Sequence, residues 1–163
     1  NPETEVGLLI LPQEVERVHA WVNSAIDAGA ELLCGGMKIS DTTYAPTVLF
    51  NPKDDAEVSQ LEIFGPVVCV YACKSREEAI EKANSLPYAF QASVFAKDMG
   101  AIIEDVQALN AAAVMVNDHT AFRVDWMPFG GRDASGIGIG GIPYTMHEMT
   151  RDKLVVIKSG KIL

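Results

Sequence analysis

Cationic residues are scarce in this 163-residue sequence: 13 Lys and Arg stand against 22 Asp and Glu, a net charge of -9. That balance argues against nucleic acid as the main partner, because phosphate binding needs a cationic face. Long apolar runs are missing too. None approaches the roughly 18–20 residues of a membrane span, so no membrane partner is expected. Cysteine is sparse, with Cys34, Cys69 and Cys73 only. Three is too few and too odd a number for a disulfide scaffold. Four residues of strand would hold the Cα atoms of Cys69 and Cys73 roughly 13 Å apart, beyond bonding distance. Free thiols point to a reducing, cytoplasmic setting. The opening Asn1-Pro2-Glu3-Thr4-Glu5 is acidic and does not read as a secretory leader. It also lacks an initiator Met, as expected of a fragment or a processed chain.

At 48% hydrophobic and 21% charged, the chain has the composition of a packed globular protein. Its pattern alternates helix and strand. Val15, Val18, Val22 and Ile26 share one face of a helix over 13–28 that Gly29 ends. Strands are predicted over 31–34, 46–50 and 67–73, the last an unbroken apolar run expected to be buried on both faces. Ser75 and Glu78 form a capping box at the start of a helix that Leu86-Pro87 terminates. Next come a strand over 92–96, a helix capped by Asp98 and reaching Leu109, and a strand over 113–116. Residues 117–137 read as a long glycine-bearing loop, 141–149 as a short helix and 154–158 as a last strand. This order predicts an α/β fold, a mainly parallel sheet with helices on both faces. Ligands of such sheets bind beyond the carboxyl ends of the strands, where the loop after Val116 begins.

Several clusters invite a chemical reading. Gly136-x-Gly138-x-x-Gly141 matches the letters of a dinucleotide fingerprint, but Arg132-Asp133-Ala134-Ser135 precedes it where a strand is needed. Lys161, not an acid, lies 20 residues beyond it. It reads as a turn where backbone passes close to backbone. Glu62-Ile63-Phe64-Gly65-Pro66 either holds a polar ligand with a stacked ring or is a solvated Glu beside a core Phe. Pro128-Phe129-Gly130-Gly131 shapes a pocket wall or makes a tight turn. His19, His119 and His147 lack metal-ligand spacing, so no metal site is expected. Each cysteine reads as structural, with no neighbouring His to stabilise a thiolate.

These stretches together resemble the C-terminal part of the NAD(P)-dependent aldehyde dehydrogenase catalytic domain, over about residues 1–159. The matching blocks are 1–10, 28–36, 44–49, Glu62-Ile63-Phe64-Gly65-Pro66-Val67, Val116-Asn117, Pro128-Phe129-Gly130-Gly131 and Ser135-Gly136-x-Gly138. The resemblance implies a truncated catalytic domain over 1–152 and a C-terminal assembly strand and tail over 153–163. It implies NAD or NADP as cofactor, an aldehyde as substrate and a homo-oligomer. In that family a Cys attacks the aldehyde, hydride passes to the nicotinamide, and a Glu activates water to hydrolyse the thioester. The nucleophile's Gly-Gln-x-Cys context and the base's Glu-Leu-Gly-Gly context do not occur here, so no residue of this chain inherits a catalytic role. The isolated chain is therefore expected to be inactive. By resemblance, Glu62 hydrogen-bonds the nicotinamide-side ribose, Phe64 packs against that end of the cofactor, and Phe129 lines the aldehyde pocket.

Two departures stand inside the match. Asp133 occupies the family's Lys position, and Gly136-Ile137-Gly138-Ile139-Gly140-Gly141 replaces Gly-x-Gly-Arg-Glu-Gly. Residues 117–129 and 144–150 are similar to a branch acting on small polar or anionic aldehydes, which includes lactaldehyde and succinate semialdehyde dehydrogenases. Arg123 either attracts an anionic substrate group or pairs with Asp125 or another carboxylate. The alternative to an enzyme fragment is a non-catalytic assembly or binding module, derived from a truncated paralogue.

Overall fold

The computed structural model describes residues 3–158 and 160. The chain forms two units, Asn1–Lys74 and Ser75–Leu163. The boundary expected after residue 152 thus falls within the second unit, and the tail at 159 and 161–163 lies outside the described residues.

In the first unit, α1 (Pro12–Asp27) buries Val15, Val18 and Val22 of the predicted stripe, with Ala25 as its fourth buried residue and Ile26 only partly buried against the core. Pro12 suits the first helical turn, where its missing N–H is not needed. Gly29, at φ +109°, ends the helix. Its N–H donates to Ile26 O, and the Ala30 N–H donates to Ala25 O, the paired bonds of a Schellman stop. The three-stranded sheet has the order β1 (Glu31–Cys34), β4 (Thr47–Phe50), β5 (Val67–Val70). β1 and β4 are antiparallel, and β4 and β5 are parallel. A small hairpin pairs β2 (Lys38–Ser40) with β3 (Thr43–Tyr44), and a single helical turn, α2 (Glu57–Gln60), precedes β5. The α1 valines close on Tyr44, Leu49 and Val58 to make the core. Burial pushes the Tyr44 phenol above its ordinary value, and its hydroxyl lies 3.2 Å from His19 Nδ1.

β5 departs from expectation. It stops at Val70, and its residues alternate between half-buried and exposed, with Val68 59% exposed. Only the face carrying Val67 and Cys69 packs against the core, so the seven-residue apolar run overstates both its length and its burial.

In the second unit, Ser75 Oγ caps α3 (Arg76–Ala83) by accepting from the Glu78 N–H. Asp98 likewise caps α4 (Met99–Ala108) by accepting from the Ala101 N–H at 2.7 Å. α3 buries none of its side chains and is tied to α4 by polar bonds. Arg76 pairs with Glu104 and Asp105, and Asn84 Nδ2 donates to Ala108 O. β7 (Gln91–Val94) and β8 (Ala113–Val116) pair in parallel. Two-residue strands β6 (Tyr88–Ala89) and β9 (Arg132–Asp133) pair antiparallel, and α5 (Ile142–Met149) comes last.

The fold is thus α/β, as expected, with pairings that are mixed rather than mainly parallel. Within this single chain the predicted last strand finds no partner among the described residues. Residues 151–158 have no regular secondary structure, and Leu154, Val155, Val156 and Ile157 are 65–87% exposed. An apolar run becomes a strand only when a neighbour supplies its ladder of hydrogen bonds. Among the described residues, no helix is long and apolar enough to cross a membrane.

Candidate functional site

The four residues singled out by sequence fall two in each unit. Glu62 and Phe64 sit on the loop between α2 and β5. Ile63 turns inward and packs against the core, so its two neighbours face out. Arg17 of α1 fixes this loop: its guanidinium donates to Ile63 O at 2.7 Å while also pairing with Glu14 at 2.8 Å. The Thr47 N–H donates to Pro66 O, anchoring the far end to β4. Phe64 has φ +50° and is 79% exposed, which overturns the alternative of a core Phe. A large non-glycine side chain in the left-handed region is uncommon and costs about 1–2 kcal/mol. Glu62 is exposed, and its carboxylate has no partner among the described residues. A groove of about 570 Å³ lies beside this loop, lined by Leu8, Ile10, Glu14, Phe64 and Pro66.

In the second unit the structure brings Arg123 onto Phe129, with the guanidinium carbon 3.9 Å from the ring centroid. Such a stack is worth about 0.5–1 kcal/mol at an exposed site and leaves the guanidinium edge free to bond. Among the described residues Arg123 forms no ion pair, so the alternative of pairing with Asp125 is not realised. Asp125 is nevertheless on the rim of the same cavity of about 580 Å³, with Arg123, Ile142, Thr145 and Met149. Phe90 meets the Phe129 ring edge-on at 5.2 Å, fixing its orientation. Phe129 also exchanges both backbone hydrogen bonds with Gly140.

That exchange explains the neighbouring glycines. A Cβ on Gly130 would lie 2.6 Å from Gly138 O, and one on Gly141 would lie 2.6 Å from Met127 O. Within the Gly136–Gly141 run, Gly140 and Gly141 thus serve close backbone approach, while Gly136 and Gly138 supply positive φ. The strand before it, β9, is a two-residue antiparallel strand, unlike the strand of a dinucleotide fold. Lys161 lies outside the described residues. Asp133, in the family's Lys position, has φ +53° and accepts from Asn110 Nδ2 at 2.8 Å. Asp tolerates that backbone region better than most residues, so this departure has a local structural use.

Among the described residues, no His or Lys side chain is recorded bonding a cysteine sulfur. Burial pushes the Cys69 thiol up, partly offset by its bond with Tyr71. Cys34 is exposed, with its sulfur 3.8 Å from Pro46 O. His19 is engaged with Tyr44 and Asn23. Among the described residues, no group of three metal-ligating side chains gathers. Sequence reasoning missed Arg17 and Phe90. The Glu14–Arg17 pair at i, i+3 was a visible signal of an organised helix face, but its carbonyl partner 46 residues away was not.

The aldehyde dehydrogenase family model matches residues 1–155. A 3-sulfolactaldehyde dehydrogenase from Priestia aryabhattai is 37% identical over 157 residues, 96% of this chain and 33% of that protein. A lactaldehyde dehydrogenase from Methanococcus maripaludis is also 37% identical, with the same coverage. Among solved structures, aldehyde dehydrogenase 21 from Physcomitrella patens, in complex with the reaction product succinate, is 31% identical with a TM-score of 0.93. That match covers 100% of this chain and 34% of the other. Glyceraldehyde-3-phosphate dehydrogenase from Methanocaldococcus jannaschii, complexed with NADP, is 36% identical with a TM-score of 0.86, over 91% of this chain and 32% of the other. The chain spans about a third of the length of the curated relatives it matches. Its sequence motifs, its fold and these similarities converge, and the chain belongs to the aldehyde dehydrogenase family.

Proposed function

We propose that this chain is one part of an enzyme that oxidises a small polar or anionic aldehyde to its carboxylic acid with NAD or NADP. The observation that carries this reading is the outward presentation of Glu62 and Phe64. An unpartnered carboxylate is an acceptor for ribose hydroxyls, and an exposed ring held in a left-handed turn offers a flat face to a nicotinamide. These residues fit the dinucleotide. When bound, the cofactor supplies the hydride acceptor. In this reading Glu62 orients the ribose, Phe64 covers one end of the cofactor, Phe129 lines the aldehyde pocket, and Arg123 attracts an anionic group. The relatives named for 3-sulfolactaldehyde and the neighbour holding succinate support an anionic substrate.

The reacting thiol and the general base belong to family contexts that are not in this sequence. Full-length protein should therefore form NADH or NADPH from such an aldehyde, followed at 340 nm, while the 163-residue chain alone should form none. Turnover by the isolated chain would overturn the division of labour, and an inert full-length protein would overturn the activity.

The free thiols support a cytoplasmic location. The exposed Leu154–Ile157 run supports residues 153–163 as an assembly segment that pairs with another copy. It equally favours the second reading, a non-catalytic assembly module. A Gly-Gln-x-Cys segment encoded upstream in the same reading frame supports the enzyme, and an in-frame Met near Asn1 supports the module.

A further inference from the structure

The parallel strand pairs of the two units end in the same device. At the end of β8, Asn117 has φ +55° and its N–H donates to Val94 O of β7 at 2.8 Å. Its side-chain amide then forks onto the next turn: Oδ1 accepts from the Ala96 N–H, and Nδ2 donates to Ala96 O, both at 2.9 Å. At the end of β4, Asn51 has φ +48°. Its N–H donates to Val70 O at 2.7 Å and its Oδ1 accepts from the Ala72 N–H at 2.8 Å. The N–H and Oδ1 bonds match in offset, but among the described residues only Asn117 adds the Nδ2 bond, and the two asparagines open onto different segments. Asn51 leads into Pro52 and α2, whereas Asn117 opens the loop carrying Arg123 and Phe129.

That loop has few other anchors. Among the described residues the hydrogen bonds of 118–124 are local: the His119 N–H to Asp118, the Ala121 N–H to His119 Nδ1, the Phe122 N–H to His119 O, and the Met127 N–H to Val124 O. Beyond them the chain is next held where Asp125 O accepts from the Ile142 N–H and where Phe129 pairs with Gly140. Arg123 is thus carried on a span held at its start by Asn117, through its backbone bond to Val94 O and its amide fork on Ala96, and at its end by Asp125 O.

We propose that Asn117 is a positioning residue for the substrate loop: its amide fork on Ala96 sets the origin of 118–124 and so the place of Arg123 over Phe129. Asparagine suits the task because it accepts the left-handed backbone and offers a donor and an acceptor together. The inference rests on the reading of Arg123 as a substrate residue, while the tether itself can be measured without turnover.

The test compares Asn117→Gly, Asn117→Asp and Asn51→Gly in the full-length protein. Glycine keeps the backbone conformation and deletes the fork, and aspartate keeps only the acceptor. Asn117→Gly is expected to speed hydrogen exchange of the 118–124 amides about tenfold. It should raise KM for an anionic aldehyde about tenfold with kcat within about threefold. Asn117→Asp should fall between wild type and glycine in both. Asn51→Gly should lower the melting temperature while leaving exchange in 118–124 and KM at wild-type values. Unchanged exchange in Asn117→Gly, or an equal KM rise in Asn51→Gly, overturns the proposal. Faster exchange in a protein that oxidises no aldehyde leaves the tether standing and removes the functional reading beneath it.

Discussion

In full-length protein, Arg123→Leu is expected to raise KM for an anionic aldehyde about 10- to 100-fold, and for a neutral aldehyde of the same size no more than about threefold. The expected size comes from the interaction removed. A hydrogen bond to a charged group contributes about 1.5–3 kcal/mol, and each 1.4 kcal/mol is a factor of ten. Arg123 is suited to this role because its guanidinium lies on the Phe129 face, 3.9 Å from the centroid, and is in no ion pair among the described residues. Losing that stack affects any substrate in the pocket, at about 0.5–1 kcal/mol, which sets the smaller effect on the neutral compound. Arg123→Lys should recover part of the discrimination, since it restores charge without the planar fork. Steady-state kinetics on the matched pair decides the matter: equal losses for both substrates would assign Arg123 to packing alone.

Leu49→Ala should destabilise the protein by about 2–5 kcal/mol, the range for a fully buried leucine cut to alanine. Leu49 is 0% exposed on β4, directly opposite Leu32 of β1 and Cys69 of β5, and it packs in the cluster that holds the α1 valines. All three strands and the helix lose contacts together, with little room for collapse. Leu33→Ala is the control: Leu33 is 53% exposed on β1, and its loss should change stability by no more than about 0.5 kcal/mol. Urea unfolding should shift the midpoint for the first variant and not the second, with the slope kept. Similar midpoints for the two would mean that the sheet and helix are not the core of this unit.

Local rules were enough for much of the architecture. The α1 stripe, the Gly29 stop, the Ser75 and Asp98 caps and β8 all appear where spacing and capping chemistry put them. These features depend on residues within a few positions of each other. The β6–β9 pair was not legible, because each strand is two residues long and their partners are more than 40 residues apart. β5 was over-read because an apolar run records hydrophobicity and not which face a neighbour covers. The run 154–157 has strand character, but nothing among the described residues pairs with it.

The site shows the same division. Glu62, Phe64 and Phe129 stand in dense local motifs, so sequence alone marked them. Their supports, Arg17 and Phe90, stand outside those motifs and contact them across the fold. A motif marks the residue proposed to face a ligand. The side chain that aims it is found only once distant segments have been brought together.

The left-handed turn at Phe64 has a consequence for what that position can become. Glycine would adopt this backbone without steric penalty, so Phe64→Gly should relieve strain and leave the chain's path past Ile63 and Pro66 in place, while erasing the aromatic surface. Backbone course and ring are therefore separable there. Thermal stability equal to or above that of the parent, joined to a weakened grip on NAD or NADP, would be the signature of a side chain kept for contact at the expense of local ease.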